Sequence, residues 1–263
     1  MMNTLADVSV LSPELQFEYE FSICCMANIL AEYQKMKASF EDSCFYPEKN
    51  TEYLLADNSI SNIWDAYTAI RHFLRVAKGK YIIISHQDVL CVDEVDKLRN
   101  CLNELEASDP TWAICGNAGG ADYKLMYYHL SDNGRVRKSN NLPAKIYSLD
   151  ENFLVIKSAA QLAISADLKG FHLYATDLCT IADILGYSSY VIPFMVNHLS
   201  NGNLEALTID EPIFIQSYAK KLRNRFIQTS CTKFSLRGNS SSSKLVNWPP
   251  IFFFVKAFRR LKK

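Results

Sequence analysis

Apolar and polar positions along this chain fall into blocks whose period changes. Short, nearly continuous apolar runs occur at "FSICCM" (21–26), "YLLA" (53–56), "YIIIS" (81–85), "WAICG" (112–116), "ENFLVIK" (151–157) and 189–192. Runs of this length, bounded by turn-forming residues, fit strands buried on both faces. The segments between them follow the helical period. Ile29, Leu30, Tyr33, Met36 and Phe40 share one face of a helix over 28–40. Ile63, Tyr67, Ile70, Leu74 and Ala77 form a stripe of the next, with Ser61 placed to cap it and Gly79 to end it. A polar helix is predicted over 92–106 and another over 177–185. Strands alternating with helices predict an α/β fold, a mostly parallel central sheet flanked by helices.

In such a sheet, ligands bind at the carboxyl ends of the strands. Asp57 ends the second run, and His86, Gln87 and Asp88 end the third and most hydrophobic one. A carboxylate there can hold a divalent cation, Mn²⁺ or Mg²⁺, which in turn holds a diphosphate. A solvated or helix-capping aspartate is the competing reading. Asp177, in "GFHLYATDLC", stands where a helix begins, a favoured place for aspartate in any case. His172 is near it. His198 follows the last strand of the body, where a lone histidine is more often structural. The Gly- and Asn-rich stretch 116–145 reads as loops and a hairpin over the rim.

Composition narrows the picture. The chain has 263 residues, 49% hydrophobic and 21% charged, enough for one large core and unlike a disordered protein. No apolar run is long enough to span a membrane, and the N-terminal residues lack the pattern of a secretory signal. The eight cysteines form no CxxC pair, which predicts a reduced, cytoplasmic chain. Net charge is +0, but residues 212–263 carry 12 of the 28 basic residues and no acidic one. This divides the chain into an acidic body, 1–211, and a basic extension, 212–263, with a flexible linker at 235–244 and an amphipathic tail helix at 249–263. In that tail, Ile251, Phe254, Val255, Phe258 and Leu261 make an apolar stripe beside Lys256, Arg259, Arg260, Lys262 and Lys263. Basic amphipathic helices of this kind lie on anionic membrane surfaces. There is no GxGxxG after the first strand and no GxxxxGK[ST], which disfavours a dinucleotide-dependent dehydrogenase and a P-loop enzyme.

Six pieces in order, "FSICCMAN", "YLLADNSISN", "AKGKYIIISHQDV", "WAICGNAGG", "GFHLYATDLC" and "VNHLSNG", resemble the nucleotide-sugar-dependent glycosyltransferases of the GT-A fold. The resemblance covers residues 20–203 and is to the family-2-like bacterial group, with HQD where others carry DxD. It implies a GT-A, Rossmann-like sheet and an inverting transfer from a nucleotide-diphosphate sugar to a saccharide or lipid-linked acceptor in surface polysaccharide synthesis. It further implies that Asn28, Asp57, Asn58 and Ser59 bind the nucleotide. His86, Gln87, Asp88 and His198 would meet the donor diphosphate, and Asp88 and His198 the Mn²⁺ or Mg²⁺ cofactor. Asp177 would be the general base, with Thr176 replacing the usual glutamate before it. His86 stands where a carboxylate is usual. Two alternatives remain. A sugar nucleotidyltransferase would carry a Gly-rich, Lys/Arg-bearing signature near the first strand, which "FSICCMANILAEY" lacks. A non-enzymatic module binding nucleic acid or membrane through the tail leaves the strand-end carboxylates unexplained. The expected partners are therefore donor, acceptor and the inner face of the cell membrane, and not nucleic acid.

Overall fold

The structure, a computed structural model, describes residues 12–47, 50–200 and 204–260. The chain divides into one compact unit ending at Asp210 and a second beginning at Glu211. The first opens with β1 (Tyr19–Ala27), α1 (Leu30–Asp42), β2 (Thr51–Asp57), α2 (Ala66–Val76) and β3 (Gly79–Ser85). It continues with β4 (Val89–Cys91), α3 (Val95–Ser108), β5 (Trp112–Gly116), β6 (Ala118–Gly120), β7 (Met126–Asp132) and β8 (Arg135–Lys138). Then come β9 (Ala144–Ile146), β10 (Ser148–Leu149), β11 (Phe153–Lys157), α4 (Tyr174–Ile184), β12 (Ser188–Val191) and β13 (Val196–His198).

Among the described residues, seven strands form the central sheet, in the order β2-β1-β3-β11-β5-β12-β9. β2, β1, β3, β5 and β12 run one way, and β11 and β9 run against them. Successive side chains of a strand point to opposite faces, and here both faces are dry. Phe21, Ile23 and Cys25 of β1 and Tyr81 and Ile83 of β3 pack with Met36 and Phe40 of α1 and Leu98, Leu102 and Leu105 of α3. The intervening Cys24, Ile82 and Ile84 are buried too, on the face that α2 and α4 cover. The continuous apolar run of β3 follows from this two-sided burial.

Both ends of α2 differ from the sequence reading. Asp65, not Ser61, caps α2: its carboxylate accepts from the Thr68 amide at 3.2 Å and the Thr68 hydroxyl at 2.6 Å. Gly79 opens β3 instead of closing α2. A Cβ there would lie 2.5 Å from the Ser22 backbone nitrogen, so β1 and β3 approach closely only over a glycine.

A smaller sheet, β10-β6-β7-β13-β4 with β8 on β7, sits at the carboxyl end of β3. The β7–β8 hairpin turns at Asn133 and Gly134, both at positive φ, as a tight hairpin requires.

Helix α5 (Leu204–Lys221) is followed by the hairpin β14 (Arg225–Gln228) and β15 (Lys233–Leu236), then α6 (Ser240–Asn247) and α7 (Pro249–Arg260). The segment 235–244 is thus no linker. Asn239 caps α6 by accepting from the Ser242 amide at 3.0 Å, and Asn247 bonds the backbone of Ser235 in both directions at 2.7 Å. Serine is a poor breaker once an asparagine supplies the cap. In α7, Phe252 is buried while Phe253 and Phe254 are exposed. Residues 261–263 of the expected tail helix lie outside the described residues. Among the described residues, no helix is long and apolar enough to cross a membrane.

Candidate active site

The turn between β3 and β4 consists of His86, Gln87 and Asp88, and strand pairing brings the rest of the site to it. β4 lies antiparallel to β13, with Val89 opposite His198, and the Leu199 amide donates to the Asp88 carbonyl at 3.0 Å. β13 lies parallel to β7, with His198 opposite Asp132. Asp88, His198 and Asp132 are therefore set side by side by ladder register. His86 Nδ1 is 3.9 Å from Asp88 Oδ1, His198 Nε2 is 3.7 Å from Asp88 Oδ2, and His198 Nδ1 is 3.6 Å from Asp132 Oδ1.

Ligand atoms of His86, Asp88 and His198 all lie within 4.8 Å of one another. The Tyr174 hydroxyl stands 2.8 Å from His86 Nε2, so the ring presents Nδ1 to Asp88. Desolvation lowers the His86 pKa to about 4; the neighbouring His198 and His172 reinforce this and Asp88 opposes it. The imidazole is thus neutral near pH 7, as a metal ligand must be. Asp88 Oδ1 is buried with no hydrogen-bond partner among the described residues. An orphaned carboxylate oxygen between two imidazoles fits a cation. Two nitrogens and one oxygen suit Mn²⁺ better than Mg²⁺, which prefers all-oxygen shells.

The cluster opens into a cleft of about 430 Å³, within the range of small-ligand sites. Asp132, Asp150, Glu151, His172 and Arg137 line it beside His86 and His198. The Arg137 guanidinium lies 3.8 Å from the centre of the Tyr128 ring. Glu151 Oε2 is 3.6 Å from His172 Nδ1, while Oε1 is buried with no hydrogen-bond partner among the described residues. Desolvation raises the Glu151 pKa, and the His172 ring and the amides of Tyr174 and Ala175 work against that rise.

The residues singled out from the sequence divide. His86, Asp88 and His198 come together as described. Asp177 does not join them. It is fully buried in the first turn of α4, where Oδ2 accepts from the Ser165 amide at 2.8 Å and Oδ1 from the Ser165 hydroxyl at 2.6 Å. Arg71 donates to the Ser165 carbonyl at 3.0 Å, which fixes the same loop. So enclosed, the carboxylate that the resemblance implied as a general base does not line the cleft. Thr176, its neighbour, does line the cleft.

Asn28, Asp57, Asn58 and Ser59 stand on the same rim, at the ends of β1 and β2. Asn58 Oδ1 accepts from the amides of Ile63 and Trp64 and so shapes the loop that follows. The exposed Asp57 carboxylate accepts from the Ser59 amide at 2.8 Å, and the Ser59 hydroxyl and amide hold its pKa below the usual range. Gln87 is a strut: its carbonyl accepts from the amides of Asn28 and Ile29, both at 3.0 Å, and its amide donates to Asn28 Oδ1 at 2.7 Å. Sequence reasoning passed over Asp132, Arg137, Asp150 and Glu151. Asp132 and Arg137 fall in the stretch read as loops and a hairpin, Glu151 opens a run read as a plain strand, Asp150 lies just before it, and no local spacing marks any of them.

No family model matches the chain. It is 36% identical over 186 residues to the protein called ATP synthase subunits region ORF 6 of Fuscovulum blasticum, a match covering 68% of this chain and 74% of that one. Among solved structures, the catalytic domain of Drosophila β1,4-galactosyltransferase 7 in complex with xylobiose aligns at TM-score 0.46 and 10% identity, over 86% of this chain and 97% of that one. S. aureus TarS 1–349 in complex with UDP-GlcNAc aligns at TM-score 0.46 and 10% identity, over 70% and 59%. A197 from STIV aligns at TM-score 0.42 and 10% identity, over 69% and 86%.

Proposed function

For a chain that belongs to the family of ATP synthase subunits region ORF 6 of Fuscovulum blasticum, a name that states no chemistry, we propose a function read from the site itself: glycosyl transfer from a nucleotide-diphosphate sugar on a GT-A-type sheet. One observation carries this reading. His86, Asp88 and His198 converge at the carboxyl end of β3, with His86 and His198 on the wall of the cleft, in a chain whose six ordered pieces resemble the GT-A glycosyltransferases. A cation held there would neutralise the charge growing on the departing diphosphate. The ends of β1 and β2, with Asn28, Asp57 and Ser59, offer the adjoining rim for the nucleoside. The transfer is inverting, and the acceptor is a saccharide or a lipid-linked saccharide of a bacterial surface polysaccharide. The resemblance of the ordered sequence pieces supports this, and the absent Gly-rich signature near β1 argues against a nucleotidyltransferase.

Calorimetry with UDP, GDP, ADP and dTDP tests the reading. One of them is expected to bind at least about tenfold tighter with Mn²⁺ than in EDTA, and Asp88→Asn to remove that gain. Equal affinity in EDTA for every nucleotide defeats it.

The C-terminal unit supports a second contact. Trp248, Phe253 and Phe254 are 58%, 69% and 71% exposed on a chain segment with no acidic residue. Aromatics with basic neighbours favour an anionic lipid surface. The full chain is expected to sediment with phosphatidylserine-containing vesicles and to be released when Phe253 and Phe254 are both changed to serine. Unchanged sedimentation of that variant removes the aromatic anchor.

A further inference from the structure

We infer that Glu151 is the general base that takes the proton from the attacking hydroxyl, an assignment that rests on the glycosyl-transfer reading above. The position follows from strand direction. β11 runs antiparallel to β3, with Phe153 opposite Ser85, so the residues just before β11 lie at the carboxyl end of β3. The His86 amide donates to the Asn152 carbonyl at 3.0 Å. The Tyr174 hydroxyl, 2.8 Å from His86 Nε2, donates to the Glu151 carbonyl at 2.9 Å. Glu151 is thereby fixed next to the His86–Asp88–His198 cluster and on the wall of its cleft.

The other carboxylates near the site are less suited. Asp177 is enclosed and bonded to Ser165. Asp88 belongs to the cluster. Asp132 stands behind His198, 3.6 Å from its Nδ1. Asp150 is the more exposed neighbour, and although desolvation raises its pKa, Arg137 and His198 work against that rise. Glu151 alone combines partial burial, an imidazole at one oxygen and an unoccupied acceptor at the other: its side chain is 17% exposed, His172 Nδ1 is 3.6 Å from Oε2, and Oε1 has no partner among the described residues. Desolvation raises its pKa, which strengthens a carboxylate as a base. In the step, a lone pair of the acceptor hydroxyl oxygen forms the bond to the anomeric carbon. The bond from that carbon to the diphosphate oxygen breaks, and its electron pair leaves with the nucleotide diphosphate. The hydroxyl proton passes to the Glu151 carboxylate and afterwards to water.

The test uses the full chain with Mn²⁺ and a panel of UDP-, GDP-, ADP- and dTDP-sugars. Nucleotide release with water as acceptor is measured beside calorimetric affinity for the free nucleotide diphosphate. Glu151→Gln is expected to keep nucleotide affinity within about twofold while release falls by about 10²–10⁴-fold. Glu151→Asp, which keeps the charge near the start of α4, is expected to lose release with an unchanged melting temperature. Formate is expected to restore part of the activity of Glu151→Ala. Release by Glu151→Gln within about tenfold of wild type, with binding intact, overturns the base assignment and leaves the transfer reading standing. Loss of release in Glu151→Ala that formate does not relieve assigns the residue to holding α4 and also overturns it. Failure of the wild type to bind any of the four nucleotide diphosphates overturns the transfer reading and this assignment with it.

Discussion

Two aspartates, Asp88 at the end of β3 and Asp177 in the first turn of α4, look alike in sequence: each follows an apolar or aromatic stretch and each belongs to a motif. The structure separates them by what their oxygens touch. Both oxygens of Asp177 accept hydrogen bonds from Ser165, and the residue is fully buried. Asp88 faces two imidazoles at 3.7 and 3.9 Å and leaves Oδ1 without a partner among the described residues. A buried carboxylate costs several kcal/mol unless it is paired or ligates a cation. Asp177 meets that requirement within the chain, so its charge serves the fold. Asp88 does not, and its unused capacity points outward to a ligand.

The largest effect that would sharpen this contrast is on stability. Asp177→Asn puts an amide against two donors that need an acceptor, and two hydrogen bonds to a charged group are at stake. We expect a loss of about 2–4 kcal/mol and a fall in melting temperature of roughly 4–16 °C. Asp88→Asn relieves an uncompensated charge and is expected to melt within about 2 °C of wild type in EDTA, while losing the Mn²⁺-induced rise. Thermal unfolding of the three proteins with and without Mn²⁺ decides it. If Asp177→Asn melts like wild type, Asp177 does not support the fold and the contrast fails.

The same pair shows what was legible. The continuous apolar run Tyr81–Ile84 marks a central strand in the sequence, and a charged tripeptide after such a strand marks a rim. Both follow from local period. His198 reaches Asp88 only because β13 pairs with β4, which a chain separation of more than a hundred residues conceals. Glu151 was hidden by direction: an apolar run such as Phe153–Ile156 reads identically in a parallel or an antiparallel strand, yet only the antiparallel one puts residue 151 at the rim of the cleft. At Asp177 the local pattern is silent, because the first turn of a helix welcomes aspartate whether its carboxylate faces a cleft or a buried serine. The run 235–244 misled because composition cannot show that Asn239 caps a helix.

Asp132 offers the finest test of how the orphaned oxygens work. It lies 3.6 Å from His198 Nδ1, while Nε2 of the same ring lies 3.7 Å from Asp88. The imidazole thus has one nitrogen toward a carboxylate behind it and the other toward the cluster. Carboxylates placed in this way fix the tautomer and orientation of a ligating histidine, and their loss typically weakens a metal site by about 10–100-fold. Asp132→Asn retains size and can still accept through its amide oxygen, so the effect is expected at the lower part of that range. Mn²⁺ alone, followed by electron paramagnetic resonance, reads the affinity without any turnover. Asp150→Asn is the control, since Asp150 shares the cleft but stands opposite no member of the cluster in the strand ladders. If both variants bind Mn²⁺ equally, the effect of Asp132 is only that of a negative charge in the cleft. If Asp132→Asn binds like wild type, His198 is oriented by its strand alone, and the ladder register that set it beside Asp88 is sufficient.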